Sequence, residues 1–237
     1  RRVVDELKRS GSVTRGWLGV QIQSLDDDGA EALGLPDAHG AIVAEVIKGS
    51  PAEKAGIKQG DVVIKMDGVQ IKDNRDLSRN VAALQVNQTS VFTVWRDDRE
   101  VKISVTIAKR PGEDRLSRND KSKGGKDEKD KSAGEAKVAA LGLNRATITQ
   151  AVRSQYDLEG SVKGVLITDV DPDSDAAERG LNAGDRIVAV AGDEVRTVSD
   201  IKSAVDAAKS QKRSSVLLFV ETQRGNKVYV PVKLNKG

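Results

Sequence analysis

The sequence contains no cysteine and has few aromatic residues. Without cysteine among its 237 residues, disulfide bonds, thiolate zinc sites and thiol catalysis are excluded. Aromatic residues make up 3% of the chain and hydrophobic residues 38%, so any core must be built mainly from valine, isoleucine, leucine and alanine. A chain of this length is expected to form one or two domains, and this composition favours small modules over one large core.

Long apolar runs are also missing. No segment approaches the roughly 18 consecutive apolar residues of a membrane-spanning helix, so we expect no transmembrane segment. The opening residues Arg1 to Asp5 are not followed by the apolar stretch of a signal peptide. We therefore expect that the chain was cut from a longer protein.

The charge is nearly balanced, with 39 basic and 36 acidic residues. Between Lys109 and Lys137 there are ten basic and seven acidic residues, which leaves 29 of each sign in the rest of the chain. The parts expected to fold are thus near neutral, and no basic stripe is interleaved with aromatic residues. This pattern argues against a nucleic-acid partner.

Catalytic motifs are absent as well. The one histidine, His39, lies in a turn-like segment, Leu35 to Gly40, and we interpret it as a solvated turn residue. A serine protease needs an imidazole as general base beside its nucleophile, and no Gly-Asn-Ser-Gly-Gly, Gly-x-Ser-x-Gly or His-Glu-x-x-His run is present. We expect no catalytic residue, no metal site and no cofactor in this chain.

An internal repeat organises the sequence. The segment Gly40 to Val46 aligns with Gly164 to Val170 at an offset of 124 residues, and Trp17 to Val20 aligns with Ala140 to Leu143 at an offset of 123. Such a repeat predicts two copies of one module. Seven identities are shared at the first offset: Ser50, Ala52, Gly56, Gly60, Asp61, Gly68 and Asp76 with Ser174, Ala176, Gly180, Gly184, Asp185, Gly192 and Asp200.

Each copy reads as short strands with one short and one long helix. Ser50 and Gly56 bracket a short helix at Pro51 to Ala55, and apolar residues at helical spacing predict a long helix from Asp76 to Leu84. Turn dipeptides at Asp67-Gly68 and Asp97-Asp98 predict tight antiparallel turns. The predicted fold class is mixed and mainly β, with two partly open barrels. Strands are predicted at 20–24, 41–46, 62–66, 69–71, 91–95 and 101–107, and at 216–220 and 228–232.

A charged segment separates the copies. Residues 110–136 are rich in lysine, aspartate, glutamate, serine and glycine, with Leu116 as the one large aliphatic residue, so burial cannot offset the chain entropy. We predict a flexible linker there. The predicted boundaries are a junction with a terminal helix at 1–12, a first module at 13–109 and a second module at 137–236.

The run Ser50 to Val63, followed by Asp67-Gly68, resembles the PDZ domain signature, and Ser174 to Val188 is its second copy. The stretch Gly11 to Val20 is similar to the junction between the protease domain and first PDZ domain of HtrA/DegP-type proteases. The resemblance implies a periplasmic protein in envelope quality control, whose upstream domain would be a serine endopeptidase.

The resemblance also implies a peptide-binding groove in the first module. The amides of Leu18, Gly19 and Val20 would receive a peptide's terminal carboxylate, with Arg15 or Arg96 adding positive potential. An extended peptide would add as a strand to the sheet edge beside the long helix. The remaining groove residues expected are Trp17, Gln21, Ile22, Leu77, Ser78 and Val81, and for each aliphatic one plain core packing is the alternative.

In the second module the equivalent residues are Leu141, Gly142 and Leu143 in the loop and Ile201 and Val205 on the helix. An insertion from Gln150 to Gly160, with Val152 and Tyr156 four residues apart, is expected to cover or reshape that groove. Three functions stay open at this point. In the first, the first module captures hydrophobic C-termini of misfolded envelope proteins and activates the protease, while the second module assembles protomers. In the second, both modules act only as an oligomerisation scaffold. In the third, the chain is an enzyme in its own right, such as a fragment of another kind of PDZ-bearing protease.

Overall fold

In a computed structural model, the structure describes residues 16–109, 135–138, 141–147 and 164–234. The chain divides into two compact units. One unit is built from residues 1–25 and 39–121, and the other from residues 26–38 and 122–237.

The first unit is an antiparallel sheet with two helices. Its sheet follows the order β2-β3-β4-β6-β7, with β5 paired to β4, while β1 pairs separately with β8. The strands are β1 Gly16–Trp17, β2 Val20–Ser24, β3 Ala41–Val46, β4 Val62–Met66, β5 Val69–Gln70, β6 Thr89–Arg96, β7 Arg99–Thr106 and β8 Ala108–Lys109, and the helices are α2 Pro51–Ala55 and α3 Asn74–Ala83.

Local sequence explains where these elements begin and turn. Asp73 caps α3 by accepting a hydrogen bond from the amide of Asp76 at 2.7 Å, so the helix begins two residues earlier than the apolar spacing predicts. Asp97 and Asp98 adopt φ of 51° and 57°, the positive values that a two-residue hairpin turn between β6 and β7 requires. Leu77 and Val81 of α3 are buried against the sheet, which closes the core.

The second unit repeats this arrangement with additions. Its sheet follows the order β15-β14-β12-β11-β10-β9, with β13 paired to β12. The strands are β9 Glu135–Val138, β10 Leu143–Thr147, β11 Val165–Val170, β12 Arg186–Val190, β13 Asp193–Glu194, β14 Ser215–Glu221 and β15 Lys227–Lys233, and the helices are α1 Asp27–Ala32, α4 Asp175–Glu178 and α5 Val198–Ser210.

Backbone geometry confirms the repeat. Ser50 and Ser174 each cap a short helix by accepting an amide hydrogen bond, at 3.2 and 3.3 Å respectively. Asp61 and Asp185 are both buried and both accept an amide hydrogen bond from the residue three positions earlier. Equivalent glycines share positive φ values, with 111° and 115° at Gly40 and Gly164, 84° and 81° at Gly56 and Gly180, and 89° and 91° at Gly60 and Gly184.

Sequence reasoning did not anticipate α1. Asp26 caps this helix by accepting a hydrogen bond from the Gly29 amide at 2.8 Å, and its inward face is made of small residues. Within the second unit, the Arg179 guanidinium donates to Asp26 at 2.8 Å and also contacts Asp28. Glu31 accepts hydrogen bonds from the Ser214 hydroxyl and amide, and these bonds lower the pKa of its carboxyl.

The mixed, mainly β fold class predicted from the sequence is confirmed. The strands predicted at 20–24, 41–46 and 62–66 coincide with β2, β3 and β4, and the short helix coincides with α2. The insertion from Gln150 to Gly160 lies outside the described residues. The domain boundaries at 12, 109 and 136 stay predictions.

Candidate functional site

An unpaired sheet margin lies beside the long helix of the first unit. In the part of the chain that the structure describes, β2 pairs with β3 on one side and with no strand on the other. The Ser24 hydroxyl, at the end of β2, lies 2.9 Å from the side-chain oxygen of Asn74, at the start of α3. Gly16 of β1, four residues before β2 begins, approaches the Val81 carbonyl so closely that a β-carbon would overlap it. The helix therefore runs antiparallel to β2.

The loop at the head of β2 depends on a glycine. Gly19 adopts φ +83°, and a β-carbon there would overlap the Ser50 side chain, so glycine is required on both counts. The Leu18 carbonyl accepts from the Ala52 amide at 3.0 Å, which fixes the loop against α2. Among the residues described, the amides of Leu18 and Gly19 donate to no other group. Backbone amides left available in a glycine-containing loop are donors that suit a carboxylate.

The apolar residues predicted for the groove differ in burial. Leu18, Leu77 and Val81 are 4%, 1% and 7% exposed and belong to the hydrophobic core. Val20 and Ile22 are half-buried and pack against that core from β2. The structure thus brings together the aliphatic residues that the sequence predicted, with the β2 residues more accessible than those of the helix.

The polar candidates occupy the rim. Gln21 is exposed, and its side-chain amide donates to the Glu45 carboxylate of β3 at 2.7 Å. Ser78 is exposed on α3, and Trp17 is half-buried on β1. Arg15 lies outside the described residues. Gln21 and Ser78 are therefore accessible to solvent on β2 and α3.

Arg96 corrects an expectation. Its guanidinium donates to both carboxylate oxygens of Asp61, at 2.7 and 2.6 Å, and to the Gly56 carbonyl at 2.9 Å. The hydrogen bonds to Asp61 raise the pKa of Arg96, against an opposing effect of burial. Arg96 therefore ties β6 to the turn after α2, and the prediction that it serves the carboxylate loop is wrong.

The second unit has an equivalent loop but not an equivalent margin. Gly142 adopts φ +63°, and a β-carbon there would overlap Ser174, as one on Gly19 would overlap Ser50. Its flanking residues Leu141 and Leu143 and the helix residues Ile201 and Val205 are all buried, with at most 2% exposure. However, β10 pairs with β11 on one side and with β9 on the other.

Two segments of the chain match one domain family. Residues 16–107 match the PDZ domain, and residues 166–221 match a second model of the PDZ domain. The chain contains two PDZ domains. The resemblance drawn from the paired glycine and aspartate signatures is therefore confirmed.

Relatives of these PDZ domains are known over nearly the whole chain. The chain is 42% identical over 235 residues to a probable periplasmic serine endoprotease DegP-like of Rhizobium meliloti, covering 99% of this chain and 44% of that protein. It is also 42% identical to a protein of the same description from Brucella suis, covering 100% of this chain and 42% of that protein. The chain thus spans less than half the length of these relatives. The tandem PDZ arrangement expected of an HtrA/DegP-type protein is confirmed.

Solved structures of HtrA-type proteases also resemble the chain. The HtrA-type protease AlgW with decapeptide is 33% identical, covers 46% of this chain and 34% of that chain, and gives a TM-score of 0.42. The same protease with tripeptide is 32% identical over 48% of this chain and 38% of that chain, with a TM-score of 0.44.

Other kinds of site find no support in the described parts of the two PDZ domains. No group of three or more histidine, aspartate or glutamate residues there could hold a metal ion, and His39 is exposed. No described helix is both long and apolar enough to span a membrane.

Sequence reasoning missed the close packing of Gly19 against Ser50 and the ion pair between Arg96 and Asp61. Ser50 and Asp61 recur as Ser174 and Asp185, and this repetition was the signal that could have singled them out. For Arg96 no such signal existed, because the second domain has no equivalent ion pair among the residues described.

Proposed function

We propose that the chain is the peptide-binding, regulatory region of a DegP-like periplasmic serine endoprotease. Its first PDZ domain binds extended peptides that end in a free carboxylate and an apolar side chain. The observation that carries this proposal is the free margin of β2, headed by the Gly19 loop and flanked by α3. An extended peptide can add to such a margin as a further antiparallel strand.

Side-chain burial and hydrogen bonds both contribute to the free energy of peptide binding. Burying one valine or leucine side chain contributes about 1.5 to 3 kcal/mol, whereas micromolar affinity needs about 8 kcal/mol. Backbone hydrogen bonds contribute about 0.5 to 1.5 kcal/mol each, and those to a charged group about 1.5 to 3 kcal/mol. Strand pairing along β2 together with carboxylate capture at Leu18 and Gly19 supplies the difference. Binding is therefore micromolar, tolerant of sequence and dependent on the free carboxylate.

Titration of the chain with labelled peptides ending in valine, leucine or phenylalanine tests this proposal. Each peptide is compared with its amidated form, and the acid should bind at least about 10-fold more tightly, since charged hydrogen bonds are lost in the amide. Equal binding by the acid and amide forms would exclude carboxylate capture.

Two glycine variants distinguish a specific role of the Gly19 loop in peptide binding from a general effect of backbone strain. Gly19→Ala places a methyl group against Ser50 at φ +83° and should weaken peptide binding at least about 10-fold, because one lost charged hydrogen bond suffices for that change. Gly49→Ala is the matched control, since it adopts φ +76° and its added methyl group meets nothing within 4 Å. A similar loss of binding in both variants would point to strain alone.

In the wider proposal, peptide occupancy of the first domain activates the protease domain of the full-length protein, and the second domain supports assembly of protomers. The competing function is a scaffold whose grooves bind no substrate. Light scattering of the chain over a range of concentrations, with and without peptide, separates the two. If the chain is only a scaffold, it should self-associate to the same extent with and without peptide, and it should bind no peptide.

A further inference from the structure

The second PDZ domain carries a strand of its own chain along its peptide-binding margin. β10 pairs on one side with β11, as β2 pairs with β3 in the first domain. On its other side β10 pairs antiparallel with β9, the tetrapeptide Glu135–Val138. In the described part of the first domain, the corresponding side of β2 has no paired strand.

Three features establish that β10 is the counterpart of β2. The two preceding glycines share a positive φ and a close approach to a capping serine, as described above. The Gly19 carbonyl accepts from the Ile47 amide and the Gly142 carbonyl from the Asp171 amide, both at 2.9 Å. Each strand also shows a register shift after its second residue, at Gln21/Ile22 in β2 and at Asn144/Arg145 in β10. The margin that β9 covers is therefore the one that stays open in the first domain.

β9 runs in the direction that a bound peptide would take. Val138 lies opposite Leu143, the residue after the Gly142 loop, and Glu135 lies opposite Ala146, farther along β10. The segment thus runs antiparallel to the margin with its last residue nearest the loop. This is the direction in which a peptide must run to present its C-terminus to that loop.

We propose that Glu135–Val138 is a built-in ligand that occupies the peptide-binding margin of the second PDZ domain and excludes other peptides. This inference rests on the proposed function insofar as it treats the margin as peptide-binding. A covalently linked segment acts at an effective concentration in the millimolar range, so a segment whose own dissociation constant is about 10 μM weakens a competing peptide by about 100-fold. The two domains then differ in peptide binding. The β2 margin of the first domain is accessible to peptides, whereas the β10 margin of the second becomes accessible only when β9 dissociates from it.

Two proline variants of the full chain test the proposal. Adjacent residues of a strand point their amides to opposite sides, so Ala136→Pro and Lys137→Pro remove one amide that faces β10 and one that faces away. Proline is tolerated at an edge where the amide faces solvent. One variant should therefore release β9, and the other serves as its matched control.

The probe is the synthetic peptide Ser-Ala-Gly-Glu-Ala-Lys-Val, which copies residues 132–138 and ends in a free carboxylate. It is titrated into isotope-labelled chain while the amide signals of Gly19 and Gly142 report the two domains separately. In the natural sequence the Gly142 signal should stay unchanged, and in one proline variant it should shift with an affinity at least about 10-fold higher. Hydrogen exchange at residues 143–147 should become faster in that same variant.

Two results would overturn the proposal. The first is a Gly142 signal that shifts equally in the natural sequence and in both variants, because β9 then excludes nothing. The second is a Gly142 signal that stays unchanged in both variants, because the released margin then binds no peptide. A Gly19 signal that fails to shift contradicts the proposed function of the first domain and leaves the result at Gly142 readable on its own.

Discussion

The ion pair between Arg96 and Asp61 offers a sharp test of what stabilises the first PDZ domain. The Asp61 side chain is 1% exposed and that of Arg96 is 20% exposed, so the pair is largely shielded from water. In Arg96→Leu the carboxylate stays buried with the Lys58 amide, at 2.8 Å, as its remaining partner among the described residues. Leaving one member of a buried pair without its partner costs about 3 to 5 kcal/mol. Because Arg96 is partly exposed, we expect about 2 to 4 kcal/mol.

Urea unfolding followed by tryptophan fluorescence measures this loss. Both tryptophans, Trp17 and Trp95, belong to the first unit, so the signal reports that domain alone. With a urea dependence of about 1 to 2 kcal/mol per molar, the unfolding midpoint should fall by about 1 to 4 M. Arg79→Leu is the control, because its pair with Asp76 is 3.4 Å long and the Arg79 side chain is 76% exposed.

A midpoint shift in Arg96→Leu no larger than that in Arg79→Leu would contradict a stabilising role for the ion pair. So would an Arg96→Leu variant of unchanged stability that loses the preference for a free peptide carboxylate. Arg96 would then serve the loop after all.

Two further predictions concern a turn shared by the two domains and a helix cap of the second domain. Asp67 and Ala191 occupy equivalent turns at φ 50° and 51°, and Asp67 also accepts from the Val91 amide at 2.7 Å. Aspartate tolerates this conformation better than alanine and can add a hydrogen bond. Ala191→Asp should therefore stabilise the second domain by about 1 to 2 kcal/mol, and Asp67→Ala should destabilise the first by a similar amount, as measured by urea unfolding. Changes of the opposite sign would contradict the equivalence of the two turns. The pKa of Asp200 is lowered: burial alone would raise it, but hydrogen bonds from the amides of Arg196 and Thr197 outweigh that effect. The stability that the ionised Asp200 contributes is complete above the usual aspartate pKa of about 4 and is lost as pH falls through the lowered pKa. In Asp200→Asn the free energy of unfolding should therefore fall less steeply with decreasing pH in the acid range. An unchanged pH dependence would show that Asp200 does not contribute.

The fold could be predicted largely because its local signals repeat. Ser50 and Gly56 bracket a helix through capping and a positive φ, and the same pair recurs 124 residues later, so each copy supports the other. The groove of the first domain was expected from the resemblance to PDZ domains, and its residues stay a prediction. The start of α3 was placed two residues late because the capping aspartate, Asp73, precedes the apolar pattern rather than belonging to it.

The features that were missed depend on long-range pairing. Glu135–Val138 is too short and too polar for its own sequence to show that it pairs with β10. Asp27–Ala32 contains a glycine and mostly small or acidic residues, so it lacks the apolar periodicity of a helix, and contacts with Arg179 and Ser214 accompany its packing. Arg96 looks like any arginine at the end of a hairpin strand until the fold brings Asp61 beside it.

The position of a bound peptide's last side chain tests the central proposal most directly. Intermolecular NMR contacts can be measured between the chain and a peptide that ends in a methyl-labelled valine. The account predicts contacts from that valine to the methyl groups of Ile22 and Val81, on the two sides of the groove. A valine that contacts neither of these residues while the peptide binds would contradict it.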